Sequence, residues 1–428
     1  MTEKRRQERQ IQRKKSGGKP PHSKRESNDS VKQLAILGST GSIGRQCLSV
    51  LEALPESFGV VALAAGANLE ELIGQIERHR PEVVSVGDAQ RADELSRSLR
   101  EKGISQLPEI HHGREGMLAV GTHSKADIVV SAAVGVVGLE ATYEAVKLGK
   151  TVALSNKEVL VAAGELVMAA AKKAGRGLLP VDSEHNAVHQ CLRGGTHGEV
   201  RRLVLTASGG PFRKTPLAAL ANVTTEQALA HPNWRMGNRI TIDSATMMNK
   251  GFEVIEARWL FGMRPDQIDV VVHPQSTIHS MVEFVDGSVL AQLGPTDMRM
   301  PIQYALTYPE RVASNQVALD WSKLKRLDFA KASTRRFPCL RLAREAMKKG
   351  GALPCALNAA DEIAVAAFLE RRLPFLGIPE VIERVLGRTP RVRFEKMEDV
   401  LTADAEARRM AREEVERLAV TAAAASTR

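Results

Sequence analysis

The sequence predicts an α/β protein with three parts: an N-terminal parallel sheet, an α+β domain with a largely antiparallel sheet, and a C-terminal helical domain. Short apolar strands alternate with helices over residues 33–181, as in a parallel sheet with crossover helices. After residue 181 the pattern changes, and strand-like segments flank Asp286 and Gly287, a strong hairpin signal. Residues 339–386 are rich in Ala, Leu and Arg and indicate the helical domain.

These changes of pattern divide the chain. The predicted segments are a disordered basic tail (1–32), a parallel-sheet domain (33–181), an α+β domain (182–297), a linker (298–335), a helical domain (336–418) and a frayed Ala-rich tail (419–428).

The N-terminal tail accounts for most of the net charge. Residues 1–32 hold 11 Lys or Arg and 4 Asp or Glu, and so carry +7 of the formal +10. With almost no apolar residues the tail should be disordered, and it lacks the apolar region of a signal peptide. We expect a solvated extension, with no nucleic-acid partner. We also expect no membrane span, since no apolar run approaches about 18 residues. The four cysteines form no metal or redox spacing, so a cytoplasmic location is expected.

A glycine-rich turn follows the first predicted strand. The apolar segment Leu34–Leu37 leads into Gly38, Gly41 and Gly44, and then into a helix through Leu54. Glycines at such a turn let a pyrophosphate approach the helix N-terminus. The spacing G-x-x-G-x-x-G differs from the standard pattern, but the order of strand, turn and helix indicates a dinucleotide site and a Rossmann-like domain.

The end of the next strand bears on the choice of cofactor. The predicted strand Val60–Ala65 ends at Gly66, Ala67 and Asn68, without the acidic residue that usually holds the ribose 2′-hydroxyl of NAD. Its absence favours NADP. No Arg or Lys takes its place at 66–68.

Two carboxylates flank a hydroxyl after the apolar segment 177–181. Asp182 and Glu184 are two positions apart, and on an extended chain they would point to the same side. Desolvating two adjacent carboxylates raises their pKa values, and a hard divalent cation with oxygen ligands removes that cost. Alternatively, the acids cap a helix that begins near Asn186.

A third carboxylate, Glu253, lies on a predicted helix for which Asp243 or Ser244 can serve as N-cap. Asn249, Lys250 and Glu253 are three or four positions apart and share a polar sector. Beside the free N–H groups of the first turn, the Ser244 hydroxyl suits a phosphate. The alternative is a solvated face with an ordinary Lys250–Glu253 pair. The apolar stripe of this helix is Ala245, Met248, Phe252, Ile255 and Trp259.

From about Leu34 to Leu386 the chain resembles the 1-deoxy-D-xylulose 5-phosphate reductoisomerase family. Eight motifs in the family's order carry the resemblance: GSTGSIG (38–44), SNKE (155–158), VDSEHNA (181–187), LTASGGPFR (205–213), HPNWRMG (231–237), DSATMMNKGFEVIEARWLF (243–261), HPQSTIHSMV (273–282) and LAQLGPTDMRMP (290–301). The sequence departs from the family at Ala67, where relatives often carry Lys or Arg.

The resemblance implies a site residue by residue. The implied ligands of Mg²⁺ or Mn²⁺ are Asp182, Glu184 and Glu253. The implied substrate-binding residues are Ser183, Glu184, Ser208, His231, Ser244, Asn249, Lys250 and Glu253, of which Glu184, His231 and Lys250 are the catalytic candidates. The implied NADPH-binding residues are Thr40, Gly41, Ser42, Ile43, Gly66, Asn68, Asn156, Lys157, Glu158 and Gly237. The segment that holds Trp234 is expected to close over the substrate as a lid.

The implied reaction is the NADPH- and metal-dependent conversion of 1-deoxy-D-xylulose 5-phosphate to 2-C-methyl-D-erythritol 4-phosphate, in non-mevalonate isoprenoid synthesis. A homodimer acting on this small sugar phosphate is expected. One alternative is a simple NADP dehydrogenase of the semialdehyde or homoserine type, which often uses a catalytic Cys or Lys. Another is a non-catalytic NADP-binding sensor whose basic tail contacts nucleic acid.

Overall fold

The computed structural model describes residues 31–234, 236–313 and 318–426. Over this part of the chain the predicted parallel sheet is confirmed, with seven strands in the order β4-β3-β2-β1-β5-β6-β7 and every pairing parallel. The strands are β1 (Lys32–Leu37), β2 (Phe58–Ala64), β3 (Val83–Val86), β4 (Glu109–His112), β5 (Ile128–Ser131), β6 (Thr151–Leu154) and β7 (Leu178–Pro180).

Helices connect these strands and cover both faces of the sheet. Along β1, Leu34 and Ile36 belong to one core cluster, and Ala35 and Leu37 belong to another. This alternation shows that both faces of the strand are buried, as parallel sheets require. The helices are α1 (Ser42–Glu52), α2 (Leu69–His79), α3 (Ala89–Glu101), α4 (Gly113–Gly121), α5 (Leu139–Lys147) and α6 (Lys157–Ala174).

The strand order reverses at β1, which lies between β2 and β5. In open α/β sheets ligands bind in the crevice outside the carboxyl ends of the strands at such a switch point. The glycine turn at 38–44 directly follows β1 and so lies at this crevice.

The second sheet is mixed, with the order β11-β10-β8-β9-β12. Only the β8–β9 pairing is parallel, so the predicted largely antiparallel character is confirmed for the described residues. The predicted hairpin is also present: the β10–β11 connection contains Asp286, whose Oδ1 accepts from Ser288 N at 2.8 Å. The strands are β8 (Val200–Ala207), β9 (Ile268–Val272), β10 (Ile278–Phe284), β11 (Val289–Leu293) and β12 (Ala330–Lys331).

Helices surround the second sheet and form the C-terminal part. One core cluster contains Leu203 of β8 together with Val254, Leu340 and Leu357, which lie on three different helices, so the mixed sheet and the C-terminal helices share a core. The helices are α7 (Ser183–Cys191), α8 (Thr225–Leu229), α9 (Asn238–Thr246), α10 (Met248–Phe261), α11 (Arg299–Thr307), α12 (Pro338–Lys349), α13 (Leu353–Leu369), α14 (Gly377–Arg388) and α15 (Met397–Ser426).

Two segments differ from the sequence prediction. The interval 298–335, predicted as a linker, contains α11 and β12. α11 is held in place because its residues Ile302 and Leu306 are buried in a core cluster of the parallel sheet. The Ala-rich segment 419–428, predicted to fray, is helical through Ser426, in agreement with the high helix propensity of Ala.

The predicted disordered tail lies almost wholly outside the described residues, which begin at Val31. Among the described helices, none has the length and apolar character needed to cross a membrane.

Candidate active site

A cavity of about 890 Å³ opens where the glycine turn faces α7, α9 and α10. Most of the residues predicted from the sequence line it. These are Gly41, Ser42, Ile43, Asn156, Lys157, Glu158, Asp182, Ser183, Glu184, Ser208, His231, Gly237, Ser244, Asn249 and Lys250. Thr40, Gly66, Asn68 and Glu253 are predicted site residues outside this lining.

The two flanking carboxylates are placed by a helix start and not by an extended strand. α7 begins at Ser183, with Asp182 as its N-cap, so the extended geometry predicted for 182–184 is wrong. The capping alternative also fails in detail, because the Asp182 side chain makes no capping hydrogen bond and the helix begins three residues before Asn186. Ser183 Oγ donates to Glu184 Oε2 at 2.5 Å.

The helix that carries Glu253 begins later than predicted. Asp243 and Ser244 lie in the last turn of α9, and Met247 with φ 63° separates it from α10. At this break the Thr246 hydroxyl accepts a hydrogen bond from Met248 N at 3.2 Å, which satisfies one of the free N–H groups at the start of α10. The proposed N-caps Asp243 and Ser244 are therefore wrong, although Ser244, Asn249 and Lys250 all reach the cavity.

Gly251 has a packing role. A Cβ built on it would lie 2.6 Å from Ala343 Cβ on α12, so glycine lets the two helices approach.

The three predicted metal ligands converge. Asp182, Glu184 and Glu253 can each offer an oxygen such that these atoms lie within 4.8 Å of one another. Lys250 Nζ lies 2.7 Å from Glu184 Oε1 and also contacts Glu253 Oε2. Asn249 Nδ2 donates to Glu253 Oε1 at 2.7 Å. Because Lys250 and Glu253 are both buried, the solvated-face alternative is wrong.

The charges of this cluster are incompletely balanced. Burial and the neighbouring Glu184 carboxylate raise the pKa of Glu253 to about 8. Burial alone would raise the pKa of Glu184, but the Lys250 ammonium lowers it overall. Burial would lower the pKa of Lys250, but Glu184 and Glu253 raise it. A further positive charge would favour the ionised form of Glu253, so the three oxygen donors fit a hard divalent cation.

A second group of charged side chains lies beneath the carboxylates. His185 Nδ1 is 3.4 Å from Asp182 Oδ2 and 3.6 Å from Glu256 Oε2, and its Nε2 is 2.9 Å from the Glu253 carbonyl oxygen. Burial would lower the pKa of His185, but Glu256 and Asp182 raise it to about 9. The ionised imidazole is thereby stabilised between the two carboxylates.

Sequence reasoning missed His185 and Glu256. Each lies three positions after a predicted ligand on its helix, Asp182 and Glu253 respectively, so helical spacing was the available signal. Lys157, which lines the cavity, also pairs with a predicted metal ligand, since its Nζ lies 2.7 Å from Asp182 Oδ2.

The segment around Trp234 covers the cavity. His231 Nδ1 accepts from Trp234 N at 2.9 Å and from Asn233 N at 3.2 Å, so the ring proton lies on Nε2 and is donated to Ser208 Oγ at 3.0 Å. Burial and then Arg213 lower the pKa of His231, which favours this neutral tautomer. His231, Asn233 and Trp234 all line the cavity.

The glycine turn has the close packing of a dinucleotide site. Gly38 (φ 88°) N and Ser39 N donate to Ala64 O at 2.9 and 2.8 Å, which joins the turn to the end of β2. A Cβ on Gly44 would lie 2.4 Å from Gly38 O and Ser39 O, so only glycine fits at the start of α1. This arrangement fits a pyrophosphate at the helix N-terminus.

The remaining cofactor candidates support the cavity wall. Asn156 Nδ2 donates to Gly135 O at 2.8 Å, and Glu158 Oε1 accepts from Gly135 N at 3.2 Å and from Arg239 Nη1 at 2.5 Å. These bonds hold the loop after β5 against α6. Asn68 caps α2, with its Oδ1 accepting from Glu71 N at 3.1 Å.

Three family models match the chain. They describe 1-deoxy-D-xylulose 5-phosphate reductoisomerase (residues 34–164), its C-terminal domain (178–261) and the DXP reductoisomerase C-terminal domain (293–410). The sequence is 52% identical over 385 residues to the 1-deoxy-D-xylulose 5-phosphate reductoisomerase of Solibacter usitatus, covering 90% of this chain and 97% of that relative.

Two solved structures are similar to this chain over about nine-tenths of its length. The 1-deoxy-D-xylulose 5-phosphate reductoisomerase from Zymomonas mobilis in complex with NADPH is 43% identical, with a TM-score of 0.84, covering 90% of this chain and 100% of that one. A DOX-P reductoisomerase in complex with NADPH, fosmidomycin and magnesium is 38% identical, with a TM-score of 0.86, covering 91% of this chain and 99% of that one.

Proposed function

Because the chain belongs to the 1-deoxy-D-xylulose 5-phosphate reductoisomerase family, we propose that it converts 1-deoxy-D-xylulose 5-phosphate to 2-C-methyl-D-erythritol 4-phosphate with NADPH and a divalent metal. One observation carries the proposal: a single cavity is lined by a glycine turn suited to a dinucleotide and by Asp182 and Glu184, which with the adjacent Glu253 form a carboxylate cluster suited to a metal.

Asp182, Glu184 and Glu253 would hold Mg²⁺ or Mn²⁺, and Gly41, Ser42 and Ile43 would lie against NADPH. When bound, the metal would polarise the substrate's oxygens as a Lewis acid, and NADPH would supply the hydride. Lys250 remains close to Glu184 and Glu253, so its ammonium limits the repulsion between these two carboxylates.

The substrate would occupy the remaining polar part of the cavity. Ser183, Ser208, Ser244 and Asn249 present hydroxyl and amide groups there, and the Lys250 ammonium adds positive charge. Such groups suit a sugar phosphate, since hydroxyls, amides and ammonium ions all donate to phosphate oxygens. His231 Nε2 carries a proton beside Ser208 and can donate it to a substrate oxygen.

The segment that begins at His231 would act as a lid. It lines the cavity through His231, Asn233 and Trp234, and Asn233 Nδ2 holds it to Pro274 O at 2.5 Å and Ser276 Oγ at 3.0 Å. Closure of an indole over bound substrate excludes water and strengthens the electrostatic interactions beneath it.

The two alternatives are less well supported. A dehydrogenase that uses a cysteine needs an accessible thiolate, but all four cysteines are buried, and burial raises the pKa of Cys191 to about 11. A non-catalytic sensor gives no reason for the cost of burying Glu253 and Lys250 beside the cavity.

The direct test of the proposal is NADPH oxidation followed at 340 nm. We expect oxidation only when 1-deoxy-D-xylulose 5-phosphate is present, its abolition by a chelator, and its recovery when Mg²⁺ or Mn²⁺ is added in excess. Oxidation that survives the chelator would favour a metal-independent dehydrogenase, and none under any condition would favour a sensor.

Cofactor preference should depend on the loop after β2. NADPH should be preferred over NADH, chiefly through affinity, because that loop has no acidic residue for the ribose 2′-hydroxyl. Ala67→Asp should repel the 2′-phosphate and offer the ribose a partner, and so erase or reverse the preference. The ratio of kcat/KM for the two cofactors measures this. Equal use of both by the unaltered protein would contradict the account.

Deletion of residues 1–30 should leave catalysis and folding unchanged, because β1 begins only at Lys32. If the basic tail bound a polyanion, the full chain would show steeply salt-dependent binding that the truncated chain lacks. Steady-state kinetics and a salt-titrated binding assay on both forms distinguish these cases. A several-fold loss of turnover would show that the tail supports the site.

We further propose a homodimer in a reducing cytoplasm. β11 is an edge strand of the mixed sheet, and Val289 and Leu290 on it are exposed, which suits pairing with a second copy. The four unpaired, buried cysteines suit a reducing compartment. Light scattering during size-exclusion chromatography should give twice the chain mass, and Leu290→Lys should lower it to the monomer value.

A further inference from the structure

The loop after β2 carries no charge for a 2′-phosphate. Gly66, Ala67 and Asn68 are exposed where NADP-binding sheets contact the adenosine ribose and its phosphate. The Asn68 side-chain oxygen is already used to cap α2. Ala67 offers only a methyl group, so a preference for NADPH requires a positive group from another element.

A positive side chain lies near this loop on α3, the helix that follows the neighbouring strand. β3 pairs with β2, and Gly87, directly after β3, donates its N–H to Gly66 O at 3.1 Å. A Cβ built on Gly87 would lie 3.3 Å from Gly66 O and 3.9 Å from Arg91 Cδ. Gly87 therefore lies between the Gly66 carbonyl and the Arg91 side chain, which places Arg91 on the same side of the sheet edge as the loop after β2.

The position of Arg91 is fixed by Asp88. Asp88 is the N-cap of α3: its Oδ1 accepts from Arg91 N at 2.9 Å, and its Oδ2 pairs with Arg91 Nη1. A guanidinium has five N–H donors, and this ion pair uses those on Nη1 only. The Arg91 side chain is 41% exposed, so it is partly open to solvent despite this ion pair.

We propose that Arg91 binds the 2′-phosphate of NADPH and supplies the positive charge that position 67 lacks. The planar donors of a guanidinium match phosphate oxygens in pairs, and the N-terminus of α3 adds a favourable partial charge. This role presupposes the NADPH-binding activity proposed above, and it names the residue that distinguishes NADPH from NADH.

The test is equilibrium binding of NADPH and of NADH to the full chain, followed by nicotinamide fluorescence without substrate or metal. In Arg91→Gln the Kd for NADPH should rise roughly tenfold to a hundredfold, the range for charge-assisted hydrogen bonds. The Kd for NADH, which lacks the 2′-phosphate, should not change. Arg97→Gln, an exposed Arg on the same helix, is the control and should leave both constants unchanged.

A rescue variant distinguishes the loss of a positive charge from a structural effect of the substitution. Ala67→Lys in the Arg91→Gln background should recover much of the affinity for NADPH, because it restores a positive charge from the loop after β2. Unchanged NADPH affinity in Arg91→Gln, or an equal loss for both nucleotides, would overturn the proposal while the proposed function stands. A wild-type chain that binds neither nucleotide would overturn both.

Discussion

Glu253→Gln should reduce kcat by about 10³-fold or more while NADPH affinity stays near normal. The substitution keeps the size of the side chain and removes a carboxylate that lies within 4.8 Å of both Asp182 and Glu184. Losing a metal ligand removes Lewis-acid assistance worth several kcal/mol, and each 1.36 kcal/mol corresponds to about a factor of ten in rate. Steady-state kinetics at limiting Mg²⁺ measure the effect. Near-wild-type turnover there would refute the ligand assignment.

Thermal stability gives a second readout for the same variant. A cation that binds the folded chain stabilises it according to its concentration relative to its Kd. Mg²⁺ should therefore raise the melting temperature of the wild type above its value with a chelator, and this rise should shrink in Glu253→Gln. Glu94→Gln, an exposed position on α3, is the matched control and should keep the full rise.

Lys250→Met should abolish activity and also destabilise the fold. The Lys250 ammonium lies between Glu184 and Glu253, and its removal leaves two buried carboxylates without their shared counter-charge. Breaking a buried pair by removing one partner costs about 3–5 kcal/mol, which urea denaturation with chelator present should reveal. Mg²⁺ should recover more stability in this variant than in the wild type, because the ion would compensate the same carboxylates.

Lys147→Met is the matched control for this charge removal. Lys147 pairs with Glu144 at 2.8 Å on the surface of α5, with 48% of its side chain exposed. Exposed pairs contribute about 0–1 kcal/mol, so stability and turnover should stay near wild type. If Lys250→Met were equally harmless, the charge balance described for Glu184, Lys250 and Glu253 would be wrong.

Local signals predicted the parts of the fold that depend on local sequence. The parallel sheet follows from apolar strands and glycine turns, and the hairpin at Asp286 follows from turn chemistry. The break between α9 and α10 could not be predicted, because a Met at positive φ leaves no sequence signal and is imposed by packing. α11 was missed because its apolar residues, such as Ile302, are buried against a core formed by residues far away in sequence.

For the candidate site, too, sequence predicted some features and tertiary packing determined the others. The resemblance to the family named the three carboxylates and Lys250, and the structure brings these four side chains together. It could not show that Lys157 would pair with Asp182, or that His185 would lie between Asp182 and Glu256, because such pairings depend on how helices pack. Charge pairs between side chains of different helices become visible only when the tertiary structure is known.

Product analysis is the most direct test of the central claim. The wild-type chain should be incubated with NADPH, Mg²⁺ and 1-deoxy-D-xylulose 5-phosphate labelled with ¹³C, and the product's carbon connectivity read by NMR. We expect the branched 2-C-methyl-D-erythritol 4-phosphate, formed in a one-to-one ratio with the NADPH consumed. A reduced product that keeps the unbranched skeleton of the substrate would contradict the claim, since it would show hydride transfer without rearrangement.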